Sequence, residues 1–93
     1  MNDKEIRDAL GDPAIYEGLA EEAVELAQMA LKAARILRGE NPTPANLLQT
    51  KWGIIEEYTD LRIYSDLLDL RPDGQIYSDK KERMVARIRE EKR

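Results

Sequence analysis

The four prolines stand at only three places in the chain, at position 13, at positions 42 and 44, and at position 72. Proline lacks a backbone donor and crowds the turn before it, so it suits the first turn of a helix and breaks one further in. Here each proline stands beside a residue that starts or stops a helix. Gly11 closes a short helical stretch over residues 3–10, with Ile6 and Leu10 on one side, and Asp12-Pro13 supplies an acidic cap followed by proline at the first helical position. Gly39 is a C-terminal cap ahead of Pro42 and Pro44, Thr43-Pro44 repeats the cap-then-proline signal, and Asp73-Gly74 follows Pro72. The long intervals between these points carry helical periodicity, and no strand pattern interrupts them. The expected fold is therefore all-α, in one domain spanning residues 1–93.

The first long helix is expected from about 13 to about 38, with a seam of Tyr16, Leu19, Ala23, Leu26, Ala30, Ala33 and Leu37. Ile15, Val24, Leu31 and Ile36 lie off that seam and suggest a surface for a partner. The second is expected from about 44 to Leu70-Arg71, with Leu48, Trp52, Ile55, Tyr58, Leu61 and Leu68 supplying much of its apolar face. The short loop over residues 39–43 makes the two an antiparallel hairpin. A third long helix, from about 74 to about 90, is thinner in core residues: Ile76, Tyr77, Met84, Val85 and Ile88. Two hairpin helices and a thin third enclose little, so a four-helix-bundle core is expected to form on dimerisation.

Within the hairpin a nine-residue phrase occurs twice. Residues 18–26 read Gly-Leu-Ala-Glu-Glu-Ala-Val-Glu-Leu and residues 53–61 read Gly-Ile-Ile-Glu-Glu-Tyr-Thr-Asp-Leu. Each copy places two acids three apart, Glu22 with Glu25 and Glu57 with Asp60, on one helical face. The first pair lies about 15 residues, roughly 22 Å, before the end of its helix. The second lies about 14 residues, roughly 21 Å, after the start of its own. Both pairs therefore arrive at the same height, in the most apolar parts of their helices. Gly18 and Gly53, one turn before each pair, leave room for something to enter. Glutamate is a good helix former and most such pairs are only solvated. Four converging carboxylates, however, repel one another unless a cation sits between them, and an all-oxygen set suits Mg²⁺, with Mn²⁺ as a substitute.

Composition narrows the chemistry. With 15 basic and 19 acidic residues the net charge is −4, which argues against a nucleic-acid polymer or an anionic membrane as partner. No apolar run is long enough to span a bilayer, and the first residues lack signal-peptide character. The absence of cysteine suits a cytoplasmic protein. The absence of histidine excludes Ser-His-Asp catalysis and most zinc chemistry, leaving carboxylates, Lys, Arg, Tyr and a hard metal.

The ordered pair Glu-Glu-x-x-Glu, helical hairpin, Glu-x-x-Asp resembles the MazG family of all-α nucleoside triphosphate pyrophosphohydrolases. The likeness runs from about Leu10 to about Arg87. It includes Leu-Ala-Glu-Glu-Ala-Val-Glu-Leu-Ala, Arg-Gly-Glu-Asn-Pro-Thr-Pro and Ile-Tyr-x-x-Lys-Lys-x-Arg, and is strongest to the small single-domain members. The separation between the two acid motifs is longer here than is usual in the family. The resemblance implies Mg²⁺-dependent hydrolysis between the α and β phosphates, giving a nucleoside monophosphate and pyrophosphate. By motif position Glu22, Glu25, Glu57 and Asp60 would hold the metal. Glu21, ahead of Glu56, would serve the attacking water. It also implies a homodimer or a dimer of dimers, with sites completed across the interface.

For the nucleoside triphosphate itself, Lys32 lies two turns beyond Glu25, and Lys80 with Arg83 forms a basic pair on the last helix. Donors of this kind bind phosphate, although solvated basic residues are as common on amphipathic helices. Tyr64 and Trp52 are candidates to face a base, against core packing as the ordinary role of each. The competing functions are a non-catalytic helical oligomer that binds a protein partner, and a metal- or nucleotide-binding regulator without turnover.

Overall fold

The computed structural model describes residues 1–40 and 46–93. Those residues form four helices and no strand: α1 (Asp3–Leu10), α2 (Asp12–Arg38), α3 (Leu47–Leu67) and α4 (Gly74–Glu91). No helix is long and apolar enough to cross a membrane.

The caps explain the boundaries. Asn2 accepts from Glu5 N–H at 2.9 Å and opens α1. Gly11, at φ 82°, turns the chain into α2, so Asp12 and Pro13 both lie inside the first turn, and Asp12 acts through the helix dipole instead of as the cap. At the other end Gly39 adopts φ 72°, with Gly39 N–H donating to Ile36 O and Glu40 N–H donating to Arg35 O, the paired bonds of a Schellman stop. The expected Thr43-Pro44 start lies outside the described residues. Instead α3 begins three residues later than expected, at Leu47, because the Asn46 side chain accepts from Leu48 N–H at 2.8 Å.

The end of α3 also differs from expectation. It stops at Leu67, short of Leu70-Arg71, because Asp69 takes the left-handed conformation at φ 54°. Asp69 N–H donates to Asp66 O and Leu70 N–H to Ser65 O, the same paired bonds that Gly39 makes possible after α2. Asp66 then receives Arg62 at 2.8 Å and Arg71 at 3.0 Å, tying the following segment back onto the helix. Asp73 caps α4 by accepting from Ile76 N–H at 2.9 Å.

Packing is concentrated between α2 and α3, with α1 folded over the end where α2 starts and α3 stops. Arg7 donates to Leu67 O across that junction. The antiparallel register is constant along the hairpin: the Tyr64 ring lies on Gly18, Glu25 meets Glu57, and the Met29 methyl lies on Gly53. Ile15, Gly18, Thr50 and Leu67 are buried.

This register takes up only part of the expected seam, of which Leu19, Leu26 and Ala33 are half-buried. Tyr16, Ala23, Ala30 and Leu37 are exposed, whereas Ile15 is fully buried and Ile36 is half-buried inside the hairpin. On α3, Leu48, Trp52, Ile55 and Tyr58 face outward, and Leu61 and Leu68 are half-buried. Both helices carry apolar residues on more than one face. The face that packs is the one where a glycine admits a side chain from across the hairpin. The two glycines are therefore filled from within, by Tyr64 and Met29, and do not leave open space as expected.

α4 packs against none of the other helices, and every residue in it is exposed. The radius of gyration is accordingly 17.3 Å, against about 12–13 Å for a compact chain of this length.

Candidate metal centre

The acid cluster is built by the register just described. On α2, Glu22 and Glu25 follow Gly18 by one and two turns. On α3, Glu57 follows Gly53 by one turn. Tyr64 over Gly18 closes one end of this stretch and Met29 over Gly53 closes the other, so the carboxylates sit between two packed layers.

One carboxylate oxygen from each of Glu22, Glu25 and Glu57 lies within 4.8 Å of the others. Two oxygens on a single Mg²⁺ stand about 3–4 Å apart, given metal–oxygen distances of about 2.1 Å, so small side-chain movements would close the set. Glu22 and Glu57 are half-buried and Glu25 is exposed, giving two inner donors and one at the mouth. Glu22 Oε2 and Glu57 Oε2 are shielded from solvent and have no hydrogen-bond partner among the described residues. Shielded carboxylate oxygens without a partner favour the uptake of a proton or a cation.

Electrostatics reflects the same crowding. A proton shared with Glu25, together with burial and the charges of Glu25 and Glu22, pushes the Glu57 carboxyl up to about 7. Burial is the main reason that Glu22 is also raised, followed by the Glu25 charge, a shared proton with Glu25 and the Asp60 charge; its contact with Glu57 acts the other way. The ion pairs among the described residues, Lys4–Asp8, Arg62–Asp66 and Arg71–Asp66, engage none of these three glutamates. At neutral pH the cluster needs a proton or a cation. Its all-oxygen, multiply anionic donor set fits Mg²⁺ or Mn²⁺ and not a soft metal.

The other candidate residues are distributed around this centre. Asp60 lies outside the converged group, though near enough for its charge to be felt at Glu22. Glu21 and Glu56 are exposed beside the cluster, and Lys32 is half-buried further along α2. Tyr64 takes the packing role, its ring held against Gly18. Trp52 is 60% exposed on the outside of α3. Lys80 and Arg83 stand on α4, and the chain does not bring that helix to the hairpin. Met29 was not among the candidates, yet it forms one wall of the cluster; the sequence signal for it is the Gly53–Glu57 spacing, read against the hairpin register.

The sequence matches no protein-family model, no curated protein and no solved structure.

Proposed function

We propose that this chain is a divalent-metal-dependent nucleoside triphosphate pyrophosphohydrolase, releasing pyrophosphate and a nucleoside or deoxynucleoside monophosphate. The observation that supports it most directly is the convergence of Glu22, Glu25 and Glu57 with two shielded, unpartnered oxygens. The nucleotide part of the reading rests on the ordered acid motifs and their resemblance to the MazG family.

In this reading Glu22, Glu25 and Glu57 hold the cation, with Asp60 beside them as a fourth acid. When bound, Mg²⁺ supplies charge neutralisation and orientation for a triphosphate. Glu21, exposed on the same turn of α2, accepts the proton of the attacking water. Lys32, and Lys80 with Arg83, supply phosphate donors, and exposed Trp52 offers a face for a base. Lys80 and Arg83 require a second chain for this role. A homodimer or a dimer of dimers, with sites completed across the interface, is therefore part of the proposal.

One observation favours a second reading. Among the described residues no basic side chain is paired with the cluster, as expected of a metal-binding or protein-binding helical module that does not turn over. Pyrophosphate release from a panel of ribo-, deoxyribo- and modified nucleoside triphosphates, with Mg²⁺ and with EDTA, decides between them. Metal-dependent release lost in Glu25→Gln supports the enzyme. No release, alongside Mg²⁺-dependent thermal stabilisation, supports the binding module.

A further inference from the structure

Away from the acid cluster, the end of α3 and the segment that follows it form a second concave feature. Tyr58, Leu61, Arg62 and Ser65 fall three and four apart and so share one face of α3. Leu70, Arg71 and Pro72 come back against that face and complete a cleft of about 320 Å³. Small-molecule sites span about 300–1,000 Å³, so the occupant of this one is small.

The cleft is held in shape from both sides. Leu70 N–H donates to Ser65 O at 2.9 Å, and Arg71 reaches Asp66 Oδ1 at 3.0 Å. Arg62 reaches the same oxygen at 2.8 Å, and proline fixes the backbone at position 72. Walls already tied together lose little freedom when a ligand enters.

Its chemistry is two-sided. Tyr58, Leu61, Leu70 and Pro72 contribute ring and hydrocarbon surface, with Tyr58 and Leu70 standing 56% and 46% exposed. Arg62 and Arg71 line the same cleft, and both side chains are open to solvent. One aspartate cannot satisfy two guanidinium groups. Among the described residues each makes a single hydrogen bond, both to Asp66 Oδ1, so most of their N–H donors remain available. One positive charge is also left over, and none of the described residues lining the cleft is an acid. Guanidinium forks bind the paired oxygens of carboxylates and phosphates and stack on flat rings.

The geometry points to a second binding site on this chain, a cleft at the end of α3 that takes a small aromatic acid. The ring lies against Tyr58, Leu61, Leu70 and Pro72. The acid group, a phosphate monoester or a carboxylate, accepts from Arg62 and Arg71. This site is independent of the metal-centre reading. Glu57 is directed to α2, about a quarter turn around α3 from the cleft, so the ligand binds here without a cation.

The test is an NMR titration in EDTA, with phenyl phosphate, benzoate, inorganic phosphate and benzyl alcohol as probes. Phenyl phosphate or benzoate is expected to saturate, with the largest shifts at Ser65, Leu70 and Arg71. The tighter of the two identifies the acid group as phosphate or carboxylate. Inorganic phosphate and benzyl alcohol each carry half of the chemistry and are expected to bind at least tenfold more weakly than that probe. Arg71→Ala and Leu70→Ser are each expected to weaken the probe at least tenfold with helix content unchanged. Arg71→Lys keeps the charge beside Asp66 but lacks the fork, and is expected to lose affinity as well. Glu57→Gln is expected to bind the probe as wild type does, while pyrophosphate release, measured separately, decides the other reading. Failure of both acids to saturate at millimolar concentration would overturn the inference. Equal binding of inorganic phosphate, full affinity in Arg71→Ala, or loss of binding in Glu57→Gln would overturn it too.

Discussion

The hairpin and α4 break opposite rules of burial. Between α2 and α3 three carboxylates are drawn together, two of them with solvent-shielded oxygens that have no hydrogen-bond partner among the described residues. On α4 the apolar residues Ile76, Tyr77, Met84 and Ile88 are left open to water at 48–60% exposure. A half-buried acid cluster with no ion-pair partner among the described residues and a helix without a packing partner are each costly alone. Each defect defines the complement that would remove it. In the proposed reading a small hard cation would relieve the hairpin, and protein surface would cover α4 and the outer faces of α2 and α3.

The largest expected effects test the first half of that contrast, and their signs are opposed. Glu57→Gln should reduce metal-dependent pyrophosphate release by more than about a hundredfold, since even indirect partners of a metal ligand are worth about 10–100-fold. The same substitution should stabilise the metal-free protein, because it removes a crowded charge. Wild type should gain about 2.7 kcal/mol when Mg²⁺ is supplied at a hundred times its dissociation constant, and Glu57→Gln should gain far less. Thermal melts with EDTA and with Mg²⁺ read both effects. A variant that loses stability without metal would mean that Glu57 is held by partners within the hairpin, and the metal centre would lose its main support.

The next effect separates the two glycines that bracket the acids. A methyl group at Gly18 would meet the rigid Tyr64 ring, whereas one at Gly53 would meet the mobile end of Met29. Overpacking costs about 1–3 kcal/mol, and replacing a helical glycine by alanine returns about 1 kcal/mol. Gly18→Ala should therefore destabilise by up to about 2 kcal/mol, and Gly53→Ala should be close to neutral or stabilising. Urea midpoints at constant slope measure both. Equal losses at the two sites would contradict the packing that fixes the register.

These two glycines also show which parts of the structure were legible in the sequence. Helix lengths and the short connection were sufficient to bring Glu22, Glu25 and Glu57 to one height, since the rise per residue is fixed. The rotation of each helix about its axis was not legible. Ile15 and Tyr16 are adjacent and both apolar, yet one is fully buried and the other is 55% exposed. The choice between them follows from Tyr64 and Met29 entering the glycine gaps, a contact between residues far apart in sequence. Asp69 hid the end of α3 for another reason: a stop in the left-handed conformation is expected of glycine, and here an aspartate makes it. Nothing in the sequence between Leu68 and Asp73 indicates that α4 turns away from the hairpin.

A smaller effect follows from titration, and it has two limbs. In the metal-free protein Glu57 is raised from its ordinary value of 4.5 to about 7. The folded state therefore holds a proton that the unfolded state has lost, and stability falls as pH rises from about 4.5 through about 7. Asp66 is lowered, chiefly by its hydrogen bond from Arg62 and then by Arg71, against opposition from burial. Its contribution is present above the ordinary aspartate value and is lost as pH falls below it. Metal-free stability should thus be greatest in mildly acid solution. Mg²⁺ should flatten the upper limb, because the cation replaces the proton, and leave the lower limb in place. Melts across pH with EDTA and with Mg²⁺ test this, and an upper limb unchanged by Mg²⁺ would place the cation elsewhere.

The smallest effect concerns the residue that directs the chain away from the hairpin. Asp69 and Gly39 make the same pair of closing hydrogen bonds, but only Gly39 is free of strain at positive φ. Aspartate tolerates this region better than most residues, and the penalty for a general side chain is about 1–2 kcal/mol. Asp69→Gly relieves the folded state and also widens the unfolded ensemble, two effects of opposite sign. The net change should be a stabilisation of less than about 1 kcal/mol, visible as a small rise in the urea midpoint. Asp69→Val, which cannot form the turn without strain, should be destabilising by a larger margin. If Asp69→Gly instead lowered stability by more than about 1 kcal/mol, the side chain of Asp69 would hold a contact that its backbone role does not account for.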